Sequence, residues 1–149
     1  MTIKKILLRE VLDSRGNKTI EAEVRSAKNR ALAAAPSGAS VGKYEVKAFP
    51  DGGVGKAIEI FRKNLEKKLI GAKIDYTTVD SIILEFDPTR EILGGNLSTA
   101  VSLAVAKLQA MEQGIEFYEL FGKKFALPLP LGNIIGGGVH SGKGSPELQ

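Results

Sequence analysis

The spacing of apolar positions changes along this chain, from two, to three and four, to no fixed period. An apolar-rich run from Ile3 to Leu12 reads as a strand, and Asp13-Ser14-Arg15-Gly16-Asn17 follows with the residue types of a tight turn. Thr19 to Val24 alternates, with Ile20, Ala22 and Val24 against Thr19, Glu21 and Glu23, which is the period of a half-buried strand. Lys28-Asn29 offers a second turn, and Arg30 to Ala35 reads as a small apolar strand. The spacing therefore predicts a three-stranded antiparallel meander with one face available for burial.

The period then lengthens. Val54, Ala57, Ile58, Phe61, Leu65 and Leu69 step by three and four, an amphipathic helical stripe. Asp75 to Phe86 predicts a second helix, with Val79, Ile82, Ile83 and Phe86 on one side and Asp87-Pro88 ending it. Asn96 is the expected N-cap of a third helix over Leu97 to Gln113, and Gly114 its C-terminal stop. This third segment is small and apolar nearly all round, so it is expected at the centre of the core. Glu116 to Phe121 predicts a short last helix. From Ala126 the composition shifts to a Pro-punctuated apolar run, and Leu129 to Ile135 reads as a buried strand with no partner after it. The expected class is α+β: a meander, about four helices, then one orphan strand and a glycine-rich loop.

Composition narrows the function classes. A chain of 149 residues fits one domain, or one with part of a second. With 43% hydrophobic and 26% charged residues it is globular rather than disordered. The net charge of +4 raises nucleic acid as a partner. The basic residues are scattered among the acids, however. The densest stretch, Arg62, Lys63, Lys67 and Lys68, has the spacing of a solvated helix face, so no nucleic-acid partner is expected. Without cysteine there is no disulfide and no thiolate chemistry. The first residues lack the form of a secretory signal, and no apolar run reaches membrane-spanning length. The expected compartment is the cytoplasm, with no membrane partner.

Two glycine-rich segments carry the candidate chemistry. Pro36 to Glu45 offers Ser37, Ser40 and Lys43 on a backbone freed by Gly38 and Gly42, suited to a hard cation or a phosphate. An ordinary connection between strand and helix explains the same composition. Gly137 to Lys143 has the spacing of a phosphate-binding P-loop, but Gly144 stands where Ser or Thr is needed, and Pro146 opposes a following helix. His140 is the only histidine, in a loop of Gly and Ser, with no nucleophile or metal partner visible beside it.

The segments VLDSRGN (Val11 to Asn17), PSGASVGKYE (Pro36 to Glu45), LGGNLSTAVSLAVAK (Leu93 to Lys107) and NIIGGGVHSGK (Asn133 to Lys143) together resemble enolase. The Gly-Lys after His140-Ser141 is similar to the archaeal form. Enolase is the glycolytic lyase that dehydrates 2-phosphoglycerate to phosphoenolpyruvate, a phosphopyruvate hydratase. The resemblance implies an enolase-type N-terminal domain over residues 1–125, with 126–149 as the first strand and loop of a C-terminal barrel. It implies Ser40 as a ligand of the second Mg²⁺, and Gly38 and Ala39 as members of the same closing, substrate-binding loop. His140 and Gln149 are implied as substrate contacts, and Arg9, Arg15 and Glu21 as residues near a subunit interface of a homo-oligomer.

The sequence departs from the family pattern at Lys18, Val41 and Val139, where Pro, Thr and Ser or Ala are usual. The carboxylates of the first Mg²⁺, the Lys base and the Glu acid are implied to lie beyond Gln149. No complete catalytic set is therefore expected in these residues, which are expected to be inactive alone and to bind Mg²⁺ weakly or not at all. The expected partner is the enolase barrel or a second copy. A second reading stays open, a non-catalytic binding or assembly module derived from enolase.

Overall fold

The sheet forms where the alternation places it. A computed structural model describes residues 1–36, 38, 41–132 and 134 of the chain. In it β1 (Lys5–Leu12), β2 (Lys18–Arg25) and β3 (Arg30–Ala34) pair antiparallel in the order β1-β2-β3. The register sets Ile6 opposite Val24, Leu8 opposite Ala22, and Ala22 opposite Ala33. These side chains fall on one face and are buried. Ile3 is buried too but lies outside β1. Its N–H donates to the Ala72 carbonyl and its carbonyl accepts from Gly71 N–H, so its backbone is committed to a later connection instead of to β2.

Helices cover the buried face. Helix α1 (Gly53–Asn64) packs against β1 and β2, and α2 (Glu66–Leu69) follows directly. The predicted single helix through Leu69 is thus broken at Leu65, whose φ of −116° departs from helical values. The Asn64 side-chain amide donates to the Ile60 carbonyl at 2.8 Å, competing with the helical ladder just before the break. Phe61, Leu65 and Leu69 are all buried, so the apolar stripe continues across it. Arg62, Lys63, Lys67 and Lys68 are exposed, as a solvated face requires.

Helix α3 (Tyr76–Phe86) starts at Asp75, whose carboxylate accepts from Thr77 N–H at 3.1 Å and Thr77 Oγ1 at 2.6 Å. The Thr77 hydroxyl is the first cause holding the Asp75 carboxyl below its ordinary value. Helix α4 (Gly95–Gln113) is the central element, packed on β2, β3 and α3. Its small residues Ala100, Ala104 and Val105 let it approach the alanine-lined sheet closely. Its N-cap is Gly94, not Asn96. Asn96 is already committed, donating its N–H to the Ala48 carbonyl at 3.1 Å. Gly114 ends α4 with φ 67°, and its N–H reaches the Ala110 and Met111 carbonyls. The last predicted helix is a short 3-10 turn, Phe117–Phe121, closed by reciprocal bonds between Glu116 and Glu119.

The outer edge of β3 has no strand beside it among the described residues, and there Lys107 Nζ donates to the Leu32 carbonyl at 3.2 Å. Beyond the 3-10 turn the chain carries no regular element among the described residues. Leu129, Leu131 and Ile134 lie in no strand and are exposed, so the expectation of a buried strand over Leu129 to Ile135 is corrected across the described part of that stretch. A strand requires a hydrogen-bonding neighbour, and none of the described elements runs alongside.

Candidate functional site: a glycine-rich loop and its anchors

The loop after β3 is tied to the rest of the fold at both of its roots. Before it, Ala35 N–H donates to the Ile20 carbonyl at 3.0 Å and Thr19 Oγ1 donates to the Ala35 carbonyl at 2.9 Å. This is why Thr19, read as a solvent-facing position, is buried. The β1–β2 turn reaches over to the loop. Asp13 Oδ1 accepts from Arg15 N–H and Asn17 N–H, both at 2.8 Å, which shapes the turn. The turn presents the Arg15 guanidinium, whose Nη1 donates to the Gly38 carbonyl at 2.7 Å. Within the loop, Gly42 N–H donates to Glu45 Oε2, Val41 is exposed, and Lys43 Nζ lies 5.4 Å from the Tyr44 ring centre.

After the loop the chain passes over the start of α4. Gly95 N–H donates to the Lys47 carbonyl at 2.9 Å, and Asn96 N–H to the Ala48 carbonyl. The approach needs a glycine. A Cβ on Gly94, at φ 83°, would lie 2.4 Å from the Ala48 carbonyl oxygen. Val46 packs on Gly95 in turn and lines a groove of about 320 Å³ between α3 and α4, with Asp80, Arg90, Thr99 and Ser102.

A second constellation lies on the outer face of the sheet. Arg9 and Glu21 are cross-strand partners, with Nη1 and Oε1 2.7 Å apart. Arg9 also pairs with Glu23, and Arg25 pairs with Glu23 from the other side. Glu23 sits in the middle strand between Leu7 and Leu32 and is only 1% exposed. The Arg9 hydrogen bond, then that from Arg25, hold the Glu23 carboxyl below its ordinary value, and the same contact raises Arg9. Lys18 pairs with Glu10 at 2.9 Å.

The structure therefore brings Arg9 and Glu21 together and places Arg15 apart from them, at the glycine-rich loop. Of the other expected site residues only Gly38 is described; Ala39, Ser40, His140 and Gln149 lie outside the described residues, as does Val139. Among the described residues no group of three or more His, Cys, Asp or Glu side chains could hold a metal ion. No helix among them is long and apolar enough to cross a membrane. Sequence reasoning missed the burial of Glu23 and the seat that Gly94 and Gly95 form for the loop. The Gly-Gly pair before an apolar helix was the available signal.

The enolase N-terminal domain family model matches residues 3–121, which take in all three strands, all four helices and the 3-10 turn. An enolase from Methanothermobacter thermautotrophicus is 42% identical over 152 aligned residues, covering 99% of this chain and 36% of that protein. An enolase from Methanosphaera stadtmanae is 40% identical, over 99% of this chain and 37% of its own length. An enolase from Pelagibacter ubique is 43% identical, over 95% and 37% respectively. The chain thus spans a little over a third of the length of the curated relatives it matches. Matched from its first strand through its 3-10 turn, the chain belongs to the enolase family and contains that family's N-terminal domain.

Proposed function

We propose that this chain serves as the N-terminal part of an enolase that dehydrates 2-phosphoglycerate to phosphoenolpyruvate. The observation that carries the reading is the match over residues 3–121, together with a glycine-rich loop anchored at both roots. In this reading the chain supplies the loop of Gly38, Ala39 and Ser40, with Ser40 as one ligand of a Mg²⁺ ion. When bound, that ion neutralises charge developing on the substrate carboxylate. His140 and Gln149 contact substrate, and the sheet's outer face, with Arg9 and Glu21, lies near a contact with a second copy. None of these groups is a base positioned to take the carbon-bound proton, so turnover requires a barrel. Leu127, Leu129 and Leu131, all exposed, offer an apolar strip suited to such a cover.

The test is an enolase assay in two arms: the chain alone, and the chain mixed with the barrel portion of the Methanothermobacter thermautotrophicus relative. The expected result is phosphoenolpyruvate formation only in the mixture, reduced about 100-fold by His140→Ala. Turnover by the chain alone, abolished by the same substitution, would refute the reading.

A further inference from the structure

Asp87 is a costly residue where it stands. It follows the last turn of α3, where the helix dipole disfavours negative charge, and it is fully buried. One carboxylate oxygen, Oδ2, accepts from Leu93 N–H at 2.8 Å. The other, Oδ1, is buried and has no hydrogen-bond partner among the described residues. An apolar helix stop would avoid both penalties, so the single bond to Leu93 needs an explanation beyond stability.

The bond's position supplies that explanation. Leu93 immediately precedes Gly94, Gly95 and Asn96, the residues that seat the chain leaving the glycine-rich loop. The turn from Asp87 to Gly94 is otherwise held by two backbone bonds, Arg90 N–H to the Asp87 carbonyl and Gly94 N–H to the Arg90 carbonyl. Arg90, with φ 62°, is the one non-glycine residue of positive φ among the described residues. A turn strained at its middle needs an anchor at its far end to hold one shape, and Asp87 Oδ2 provides it.

We infer that Asp87 is a positioning residue for the glycine-rich loop. Through Leu93 N–H it fixes the Gly94–Asn96 backbone, which in turn holds the Lys47 and Ala48 carbonyls and sets where the loop's C-terminal root leaves the domain. The link from this root to catalysis rests on the enolase reading above; the positioning itself does not.

Three amides report on the chain of contacts directly. Leu93 N–H reads the Asp87 bond, and Gly95 and Asn96 N–H read the bonds to Lys47 and Ala48. Residue-resolved hydrogen exchange on the 149-residue chain is the measurement. Asp87→Ala is expected to speed exchange about tenfold at Gly95 and Asn96 as well as at Leu93, with β1 and β2 amides unchanged. Asp87→Asn keeps an acceptor for Leu93 and is expected to restore protection to within about twofold of the original chain. Gly94→Ala attacks the seat from its other side and is expected to expose the same Gly95 and Asn96 amides while Leu93 stays protected.

The inference is overturned if Asp87→Ala deprotects Leu93 alone. It is also overturned if the loss is uniform across the sheet, or if Asp87→Asn unfolds the chain, because either would make the role purely structural. Should Asp87→Ala not fold, Asp87→Asn and Gly94→Ala decide: the inference holds if the first keeps protection and the second loses it at the seat, and fails otherwise. In the barrel mixture Asp87→Ala is expected to raise KM more than it lowers kcat. An inactive original mixture defeats the enolase reading and leaves the exchange result standing.

Discussion

Glu23 is a carboxylate on the outer face of a three-stranded sheet, yet water hardly reaches it. The alternation of β2 placed Glu21 and Glu23 correctly on the face away from the core. It could not reveal that a middle-strand position lies under Leu7, Leu32 and two arginine side chains, because cross-strand neighbours are set by register. The consequence is acid sensitivity. Arg9 and Arg25 depress the folded-state pKa of Glu23 below its ordinary 4.5, so the contribution is fully present above that value and is lost as pH falls through the folded pKa. Asp75 and Glu112 are depressed as well, Glu112 first by its bond from Ser26 Oγ, and both act in the same direction. Thermal melts between about pH 3 and 7 should show the melting temperature falling below about pH 4.5. In Glu23→Gln that fall should be shallower and the value at neutral pH lower, since Arg25 loses its ion pair and Arg9 keeps only Glu21. An unchanged acid slope would show that Glu23 is not the group being titrated.

At the level of elements, the cap of α3 makes a sharp prediction. Asp75→Ala removes the acceptor for Thr77 N–H and should cost about 1 kcal/mol in urea denaturation, while Asp75→Asn should retain most of the stability. Elements of strong period were legible: all three strands, α3, the body of α4 and the glycine after α4 stand where pattern and stop signals put them. The misreadings share a cause. At Leu65 the stripe of buried residues runs through a backbone break, since periodicity records which side chains face the core and is silent on the bonds between them. At Asn96 a good capping residue stands two residues past the true cap, already inside the helix, and its N–H serves a distant carbonyl. The apolar run at Leu129 was read as buried on composition, and composition carries no information about what lies alongside.

For the whole molecule, a well-covered core coexists with an uncovered apolar strip. Leu127, Leu129 and Leu131 are each more than 90% exposed, next to half-exposed Phe121 and Phe125. Replacing Leu129 and Leu131 together by Ser should reduce fluorescent apolar-dye binding and concentration-dependent scattering, with the melting temperature shifted by less than about 2 °C, because neither side chain contributes to the core. A large fall in melting temperature would place these leucines in the packed interior instead. The candidate site was legible as motifs, the loop from Pro36 to Glu45 foremost. Its supports were not, since the side chains of Arg15 and Asp87 bond to distant backbone atoms and Gly94 makes room for another, contacts that a motif's letters do not record. The free edge of β3 is treated differently. There the ammonium of Lys107 occupies an outward carbonyl of β3, so a strand from another molecule sliding up to this rim meets a cation in place of a free acceptor. A ladder of stacked sheets therefore finds no vacant acceptor at Leu32 from which to begin.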